Sequence, residues 1–272
     1  MPAPSDLVES ARRGDRRSLA RLVSLVEDLA PEGREAIAAV HDAGDRGWVT
    51  GITGAPGAGK SVLVSALIGA IRSRGREVAV VAVDPSSPFT GGAILGDRIR
   101  MQHHIDDSGV FIRSMANRGT LGGIAGSTPL VVALLDGLGF PEIVIETVGV
   151  GQAEVAIASE ADTTAVVVNP GWGDSVQAAK AGLLEIADVL VVNKADRPGA
   201  DDAQRELLAM LQLGGPRPWS PPVVMTSATE GSGIAELWEA IEEHRAHLEV
   251  SGELVARRAA RTASTEQALA DE

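Results

Sequence analysis

This sequence predicts an α/β fold, a mostly parallel sheet covered by helices on both faces. Three observations carry that expectation. At 272 residues the chain is long enough to bury a full α/β core. Seven short runs rich in β-branched residues recur along it, and amphipathic segments long enough for a crossover helix separate most of them. In order, the predicted strands are Trp48–Thr53, Glu77–Val83, Val110–Ser114, Glu142–Thr147, Thr163–Val168, Val189–Asn193 and Val223–Ser227. Predicted crossover helices include Ser61–Ser73, Thr128–Leu138 and Asp201–Leu213. Tyrosine is absent and phenylalanine occurs three times, so Ala, Val, Ile and Leu must build the core.

The flanks read differently. Residues 6–29, DLVESARRGDRRSLARLVSLVEDL, place Leu and Val at helical spacing among charges, as one long helix or two short ones. Pro31 suits the first turn of another helix running to about Ala43. The composition then shifts at Gly44 to Gly47. Ile234 to Leu248 reads as a helix, and Val250–Glu272 as helical or frayed. The expected division is a helical extension over 1–46, a central domain over 47–233 and a C-terminal helical segment over 234–272.

Composition excludes several functions. Net charge is −13 and no long Lys/Arg cluster occurs, so the electrostatic footprint for nucleic acid or anionic lipid is missing. Without cysteine there are no disulfides, thiolate metal sites or cysteine catalysis. The first residues carry no apolar stretch of signal-peptide type, and no run approaches the roughly 18 apolar residues of a membrane span. The expected location is cytoplasmic.

The chemistry is concentrated at strand ends. Gly54-Ala55-Pro56-Gly57-Ala58-Gly59-Lys60-Ser61 satisfies G-x-x-x-x-G-K-[ST], after a predicted strand and before a helix that Val62 continues. Glycines let backbone N–H groups turn inward around a phosphate chain, and the helix N-terminus adds partial positive charge. Lys60 is placed to reach the β- and γ-phosphates, and the Ser61 hydroxyl to ligate Mg²⁺. The central domain is therefore expected to be a P-loop G domain.

Base choice is read from Asn193-Lys194-Ala195-Asp196, at the end of the strand ADVLVVN. Guanine presents adjacent N1–H and N2–H donors, and the Asp196 carboxylate can accept both. Adenine would leave that carboxylate unpaired, a discrimination worth roughly 10⁴-fold or more. The Lys194 stem can lie along the base, Asn193 can tie its loop to the P-loop, and a backbone N–H in Thr226-Ser227-Ala228 can meet the guanine O6. GTP and GDP are the expected nucleotides.

Glu146, ending an apolar strand before Thr147-Val148-Gly149, is expected in the Mg²⁺ shell, with Gly149 leaving room for the γ-phosphate. Asp84, after Val83, and Asp97, in a glycine-bounded loop, are further candidate metal-side acids.

VDPSSPFTGGAILGDRIRM, FIRSMANRGTLGG, IETVGVGQAE, NPGWGDSVQAAKAGLLEIAD and NKAD, in this order, resemble the MeaB/ArgK-type G-proteins, the GTPase chaperones of adenosylcobalamin-dependent methylmalonyl-CoA mutase. The resemblance spans about residues 6–250, including DLVESARRGDRRSLARLVSLVE. It implies a G domain of the class that includes nickel-delivery and signal-recognition GTPases, a homodimer, and binding to the mutase. It also implies GTP hydrolysis that gates cofactor loading and protects the mutase from inactivation. Lys60 and Ser61 match the family's P-loop, Asp84, Asp97 and Glu146 its metal-side acids, and Asn193, Lys194 and Asp196 its guanine reader. No cobalamin is expected to bind this chain directly. Members usually continue into a longer helical C-terminal arm that contributes to dimerisation, whereas this sequence stops at Asp271-Glu272.

The expected reaction is attack of water on the γ-phosphoryl, with slow intrinsic turnover on the order of 10⁻⁴ to 10⁻² s⁻¹ that a partner accelerates. No residue stands out as a general base. Gln152 is a candidate to orient water, or else a surface or capping residue. In the Gly-flanked loop Pro170–Gly182, Trp172 reads as an exposed anchor or as packing under the loop. Lys180 reads as a mobile cation facing nucleotide or partner, or as a solvated helix residue. The competing classes are a metallochaperone GTPase, an ArgK-like ATPase or kinase, and a scaffold that binds nucleotide without hydrolysis. His103-His104, the only adjacent histidines, reads as a helix surface feature.

Overall fold

The computed structural model describes residues 2–41, 47–85, 101–117, 127–147, 153–172, 177–215 and 217–270. Each of the seven expected runs forms a strand: β1 Trp48–Gly54, β2 Val78–Pro85, β3 Val110–Asn117, β4 Glu142–Thr147, β5 Thr163–Val168, β6 Val189–Asn193 and β7 Val223–Thr226. They make one sheet in the order β3-β2-β4-β1-β5-β6-β7, with every pairing parallel. β1 lies at the centre, between β4 and β5. The chain leaves it towards one edge for β2 and β3, and later builds the other edge from β5 to β7. That reversal opens a crevice above the carboxyl end of β1.

Among the described residues ten α-helices flank the sheet. Three precede it: α1 Pro4–Arg12, α2 Arg16–Glu27 and α3 Pro31–His41. The segment 6–29 is two helices because Asp15 caps the second, its carboxylate accepting from the backbone N–H of Ser18 at 3.1 Å and Arg17 at 3.3 Å. The others are α4 Lys60–Ser73, α5 Thr128–Gly137, α6 Ala153–Glu160, α7 Gln177–Ile186, α8 Ala200–Leu213, α9 Ile234–Ser251 and α10 Glu253–Ala270. The C-terminal stretch is thus helical through Ala270. No helix among the described residues is long and apolar enough to cross a membrane.

One expectation is corrected, and one left open is decided. The segment Pro170–Gly182 is not a loop throughout, since α7 begins at Gln177. Of the two readings of Trp172, packing under the loop holds: it is 7% exposed and joins the apolar cluster of Val166, Val168, Leu183 and Leu184. An indole has too much apolar area to leave in water when a sheet face lies beside it. His103 and His104 sit on a short 3₁₀ helix, His103 exposed and His104 Nε2 2.9 Å from the Ser65 carbonyl oxygen.

Strand alternation sorts the core into two layers. Ile52, Val80, Val144, Val167 and Val191 face α4 and α9, against Leu63, Leu67, Leu237 and Ile241. On the other face, Val81, Ile143 and Ile145 meet Leu22, Val23, Leu134 and Ile157 of the N-terminal helices, α5 and α6.

At the amino ends of the strands, polar groups replace this apolar packing. Asp162, fully buried just before β5, accepts from the Val49 N–H at 2.9 Å, Arg258 at 3.1 and 3.2 Å, and Arg261 at 3.1 Å. Asp188, just before β6, takes both guanidinium arms of Arg257 at 2.9 Å and lies 3.2 Å from His244 Nε2. Burial raises the Asp188 carboxyl, but the combined His244 and Arg257 bonds and charges outweigh it and hold the group below its ordinary value. Three arginines of α10 are therefore locked to the floor of the sheet. Glu142, first in β4, pairs with Arg76 at 2.6 Å and lies 3.8 Å from Arg245. Burial dominates there and pushes its carboxyl up to about 7, although both arginines pull it down.

Replacing Asp162 by Ala removes the carboxylate shared by two guanidinium groups and a backbone N–H. It should cost about 3–5 kcal/mol and lower Tm by on the order of 10 °C in thermal unfolding followed by circular dichroism. Glu142 acts in the opposite sense. Its folded value lies above the ordinary one, so the fold holds the proton more tightly than the unfolded chain, and stability falls as pH rises from about 4.5 to about 7. A Glu142→Gln variant should match the parent's Tm at pH 5 and exceed it at pH 8; equal Tm differences at both pH values would contradict this.

Candidate functional site

The carboxyl end of β1 runs directly into the P-loop. Gly54 (φ 130°) ends the strand so close to β5 that a Cβ would lie 2.0 Å from the Val167 carbonyl oxygen. Gly59 (φ 91°) caps α4, and a Cβ there would meet Asn193 Nδ2 at 2.6 Å. Neither position admits another residue type without rebuilding the loop. Between them, Ala55, Pro56, Gly57 and Ala58 form the turn, and Val62 continues α4.

Lys60 is the first residue of α4 and is buried, with Nζ donating to the carbonyl oxygens of Gly54 at 2.8 Å and Ala55 at 3.0 Å. Its charge thus sits inside the loop's curve. The buried Ser61 hydroxyl donates to Glu146 Oε1 at 2.7 Å. Register explains the meeting: Glu146 pairs with Ile52, two residues before the end of β1, and both side chains face α4. A hydroxyl and a carboxylate are hard oxygen donors, and side by side at the mouth of the P-loop they suit Mg²⁺.

Two strands from β1, the loop after β6 leans onto the same spot. Asn193, the last residue of β6 and 2% exposed, donates through Nδ2 to the Ala58 carbonyl oxygen at 2.8 Å. Its Oδ1 accepts from Thr226 Oγ1 at 3.1 Å and the Ala228 N–H at 3.3 Å. Lys194 has a left-handed backbone (φ 61°), unusual outside glycine, and its Nζ donates to the Gly57 carbonyl oxygen at 2.6 Å. Asp196 is exposed, and Ser227 Oγ donates to its Oδ1 at 2.7 Å. That bond holds the Asp196 carboxyl below its ordinary value, so at neutral pH it is an ionised acceptor.

The structure thus brings Lys60, Ser61 and Glu146 together at the P-loop, and joins Asn193, Lys194, Asp196, Ser227 and Ala228 to it through Asn193 and Lys194. Asp97, Gly149 and Gln152 lie outside the described residues. For Asp84 and Lys180 only the backbone is described. Asp84 lies in β2, two residues past the Ala82–Glu146 pair, and Lys180 lies in α7. Three threonine hydroxyls to which sequence reading gives no role have specific partners: Thr226 on Asn193, and Thr53 with Thr147, whose hydroxyls are 3.0 Å apart. A Thr in a β-run carries no signal separating these roles.

Comparison with known proteins agrees with this geometry. The family model described as methylmalonyl Co-A mutase-associated GTPase MeaB matches residues 19–272. A protein of Pyrococcus abyssi named as a GTPase is 52% identical over 257 residues, covering 93% of this chain and 79% of its own length. The mitochondrial methylmalonic aciduria type A homolog of Mus musculus is 36% identical over 265 residues, covering 90% of this chain and 64% of its own. Among solved structures, one titled as a LAO/AO transport system kinase superposes with a TM-score of 0.80 at 27% identity, covering 99% of this chain and 83% of that one.

Proposed function

The chain belongs to the MeaB family of methylmalonyl-CoA mutase-associated P-loop GTPases, and from that premise we propose that it hydrolyses GTP as the chaperone of an adenosylcobalamin-dependent acyl-CoA mutase, methylmalonyl-CoA mutase before others. The observation that carries the nucleotide half is the joining of two loops. The Asn193–Ala58 bond and the Lys194–Gly57 bond hold an ionised, Ser227-oriented Asp196 at a set distance from the P-loop. A phosphate cradle and a double hydrogen-bond acceptor held in one rigid frame suit a guanine nucleotide. The mutase half is supported by the family's description and by the name of the mouse relative.

In this reading the P-loop amides from Gly54 to Ser61 wrap the phosphates, and the Lys60 ammonium exchanges its contacts with the Gly54 and Ala55 carbonyls for β- and γ-phosphate oxygens. A bound Mg²⁺ would supply positive charge to offset the negative charge that develops during hydrolysis. Ser61 and Glu146 would hold it, with Asp84 and Asp97 as the further acids. Asp196 accepts the guanine N1–H and N2–H, Lys194 covers the base, and the Ala228 N–H turns from Asn193 Oδ1 to O6. Gly149 gives the γ-phosphoryl room, Gln152 orients the attacking water, and Lys180 acts from α7 towards nucleotide or partner. The protein works in the cytoplasm as a homodimer, and the cobalamin stays with the mutase.

An adenine-nucleotide kinase would find no partner for the Asp196 carboxylate. Among the described residues, no group of three or more His, Cys, Asp or Glu side chains offers a metal-delivery GTPase a cargo site.

Asp196→Asn should lower the preference for GTP over ATP, measured by calorimetry, by at least about 100-fold; full retention of the preference would overturn the guanine assignment. For the partner, immobilised chain should retain purified methylmalonyl-CoA mutase, with retention that changes between GDP and a non-hydrolysable GTP analogue. Equal or absent retention in both nucleotide states would overturn the chaperone role.

A further inference from the structure

Where β1 and β4 separate, side chains take over from backbone as the link between them. The backbone pairing of the two strands runs from Trp48–Glu142 to Ile52–Glu146. Past that point β1 stays with β5 as far as Gly54–Val167, while β4 stays with β2 as far as Val83–Thr147. The crevice that receives the P-loop opens here. One residue beyond the last β1–β4 pair, Thr147 Oγ1 donates to Thr53 Oγ1 at 3.0 Å, and both residues are fully buried.

The surroundings make this choice of residue informative. Strand alternation puts Thr53 and Thr147 on the face away from Glu146, shared with Val81, Val83, Ile143 and Ile145. Valine has the same shape as threonine and would suit that environment. Replacing both members of a buried hydrogen-bonded pair by apolar groups of equal shape is close to neutral for stability, or favourable. Stability therefore does not account for two hydroxyls at this point. Position does. Thr53 immediately precedes Gly54 of the P-loop, and Thr147 immediately follows Glu146 and leads into the segment containing Gly149 and Gln152.

We propose that Thr53 and Thr147 are positioning residues for hydrolysis: their hydroxyl bond sets how far the P-loop strand and the acid strand open, and hence where Glu146 sits against Ser61. The pair touches neither nucleotide nor metal and acts through Glu146 and the two strand ends. The inference rests on the assignment of Ser61 and Glu146 made above.

The test compares three variants of the full chain in steady-state GTP hydrolysis and thermal unfolding: Thr53→Val with Thr147→Val, Thr53→Ser with Thr147→Ser, and Glu146→Gln. The double valine variant should lose about 10-fold or more in kcat, since small misplacements at a reacting centre are costly, while KM for GTP stays within about twofold. Its Tm should equal or exceed the parent's. The double serine variant, which keeps both hydroxyls, should return kcat to within about twofold of the parent. Parental kcat in the double valine variant overturns the proposal, and so does a fall in Tm that accompanies the loss of turnover. Glu146→Gln separates the two levels of assignment. If it leaves turnover and Mg²⁺ dependence unchanged, the Ser61–Glu146 assignment fails. If it slows hydrolysis while the double valine variant does not, only the threonine proposal fails.

Discussion

The hydrogen bond from Asn193 Nδ2 to the Ala58 carbonyl oxygen organises the upper half of this molecule. It joins the loop after β6 to the loop after β1, two segments 135 residues apart in sequence. Its consequences spread in both directions. On the P-loop side, the approach is so close that position 59 must lack a side chain. On the β6 side, Lys194 is driven into a left-handed backbone, and its ammonium makes a second bridge to Gly57. The carboxylate of Asp196 then projects at a set distance from the phosphate cradle, aligned by Ser227. Fixing two halves of a ligand site before the ligand arrives lowers the ordering cost that binding would otherwise carry.

The opposite end of the sheet solves a different problem. Strand starts leave backbone groups and acids in a dry interior, and Asp162, Asp188 and Glu142 meet that demand with arginines from α4's flank, α9 and α10. Buried ion pairs contribute less than their short distances suggest, because both charges surrender hydration. What this cluster does supply is orientation: it fixes α10 across the floor of the sheet, at the end opposite the P-loop. The two ends also differ in how their carboxyls respond. Asp196 and Asp188 are held ionised by donors that outweigh burial, whereas at Glu142 burial wins.

Much of the fold could be read from the chain. Every predicted run became a strand, because residues such as Val189–Asn193 are apolar on both faces and only a doubly covered sheet buries both. The P-loop and NKAD were legible because their chemistry is local: glycine spacing, a lysine and a hydroxyl in series, an acid after a strand. The misreading of Pro170–Gly182 has an equally local cause. Its glycines mark a turn, but the helix that begins at Gln177 runs through Gly182, the glycine read as the end of the loop. Trp172 was undecided because an indole beside glycines looks alike whether it faces water or a core.

Sequence by itself determined the parallel α/β class, the P-loop motif and the NKAD motif at the end of β6, since each depends on neighbours within a few positions. Tertiary structure alone decided that Ser61 meets Glu146 across 85 residues, that Asn193 anchors to Ala58, and that Thr53 finds Thr147 where two strands part. Those contacts follow from strand order and register, which no local pattern encodes. The sheet places β1 between β4 and β5 only once the whole chain has folded, and that placement turns separate motifs into one site.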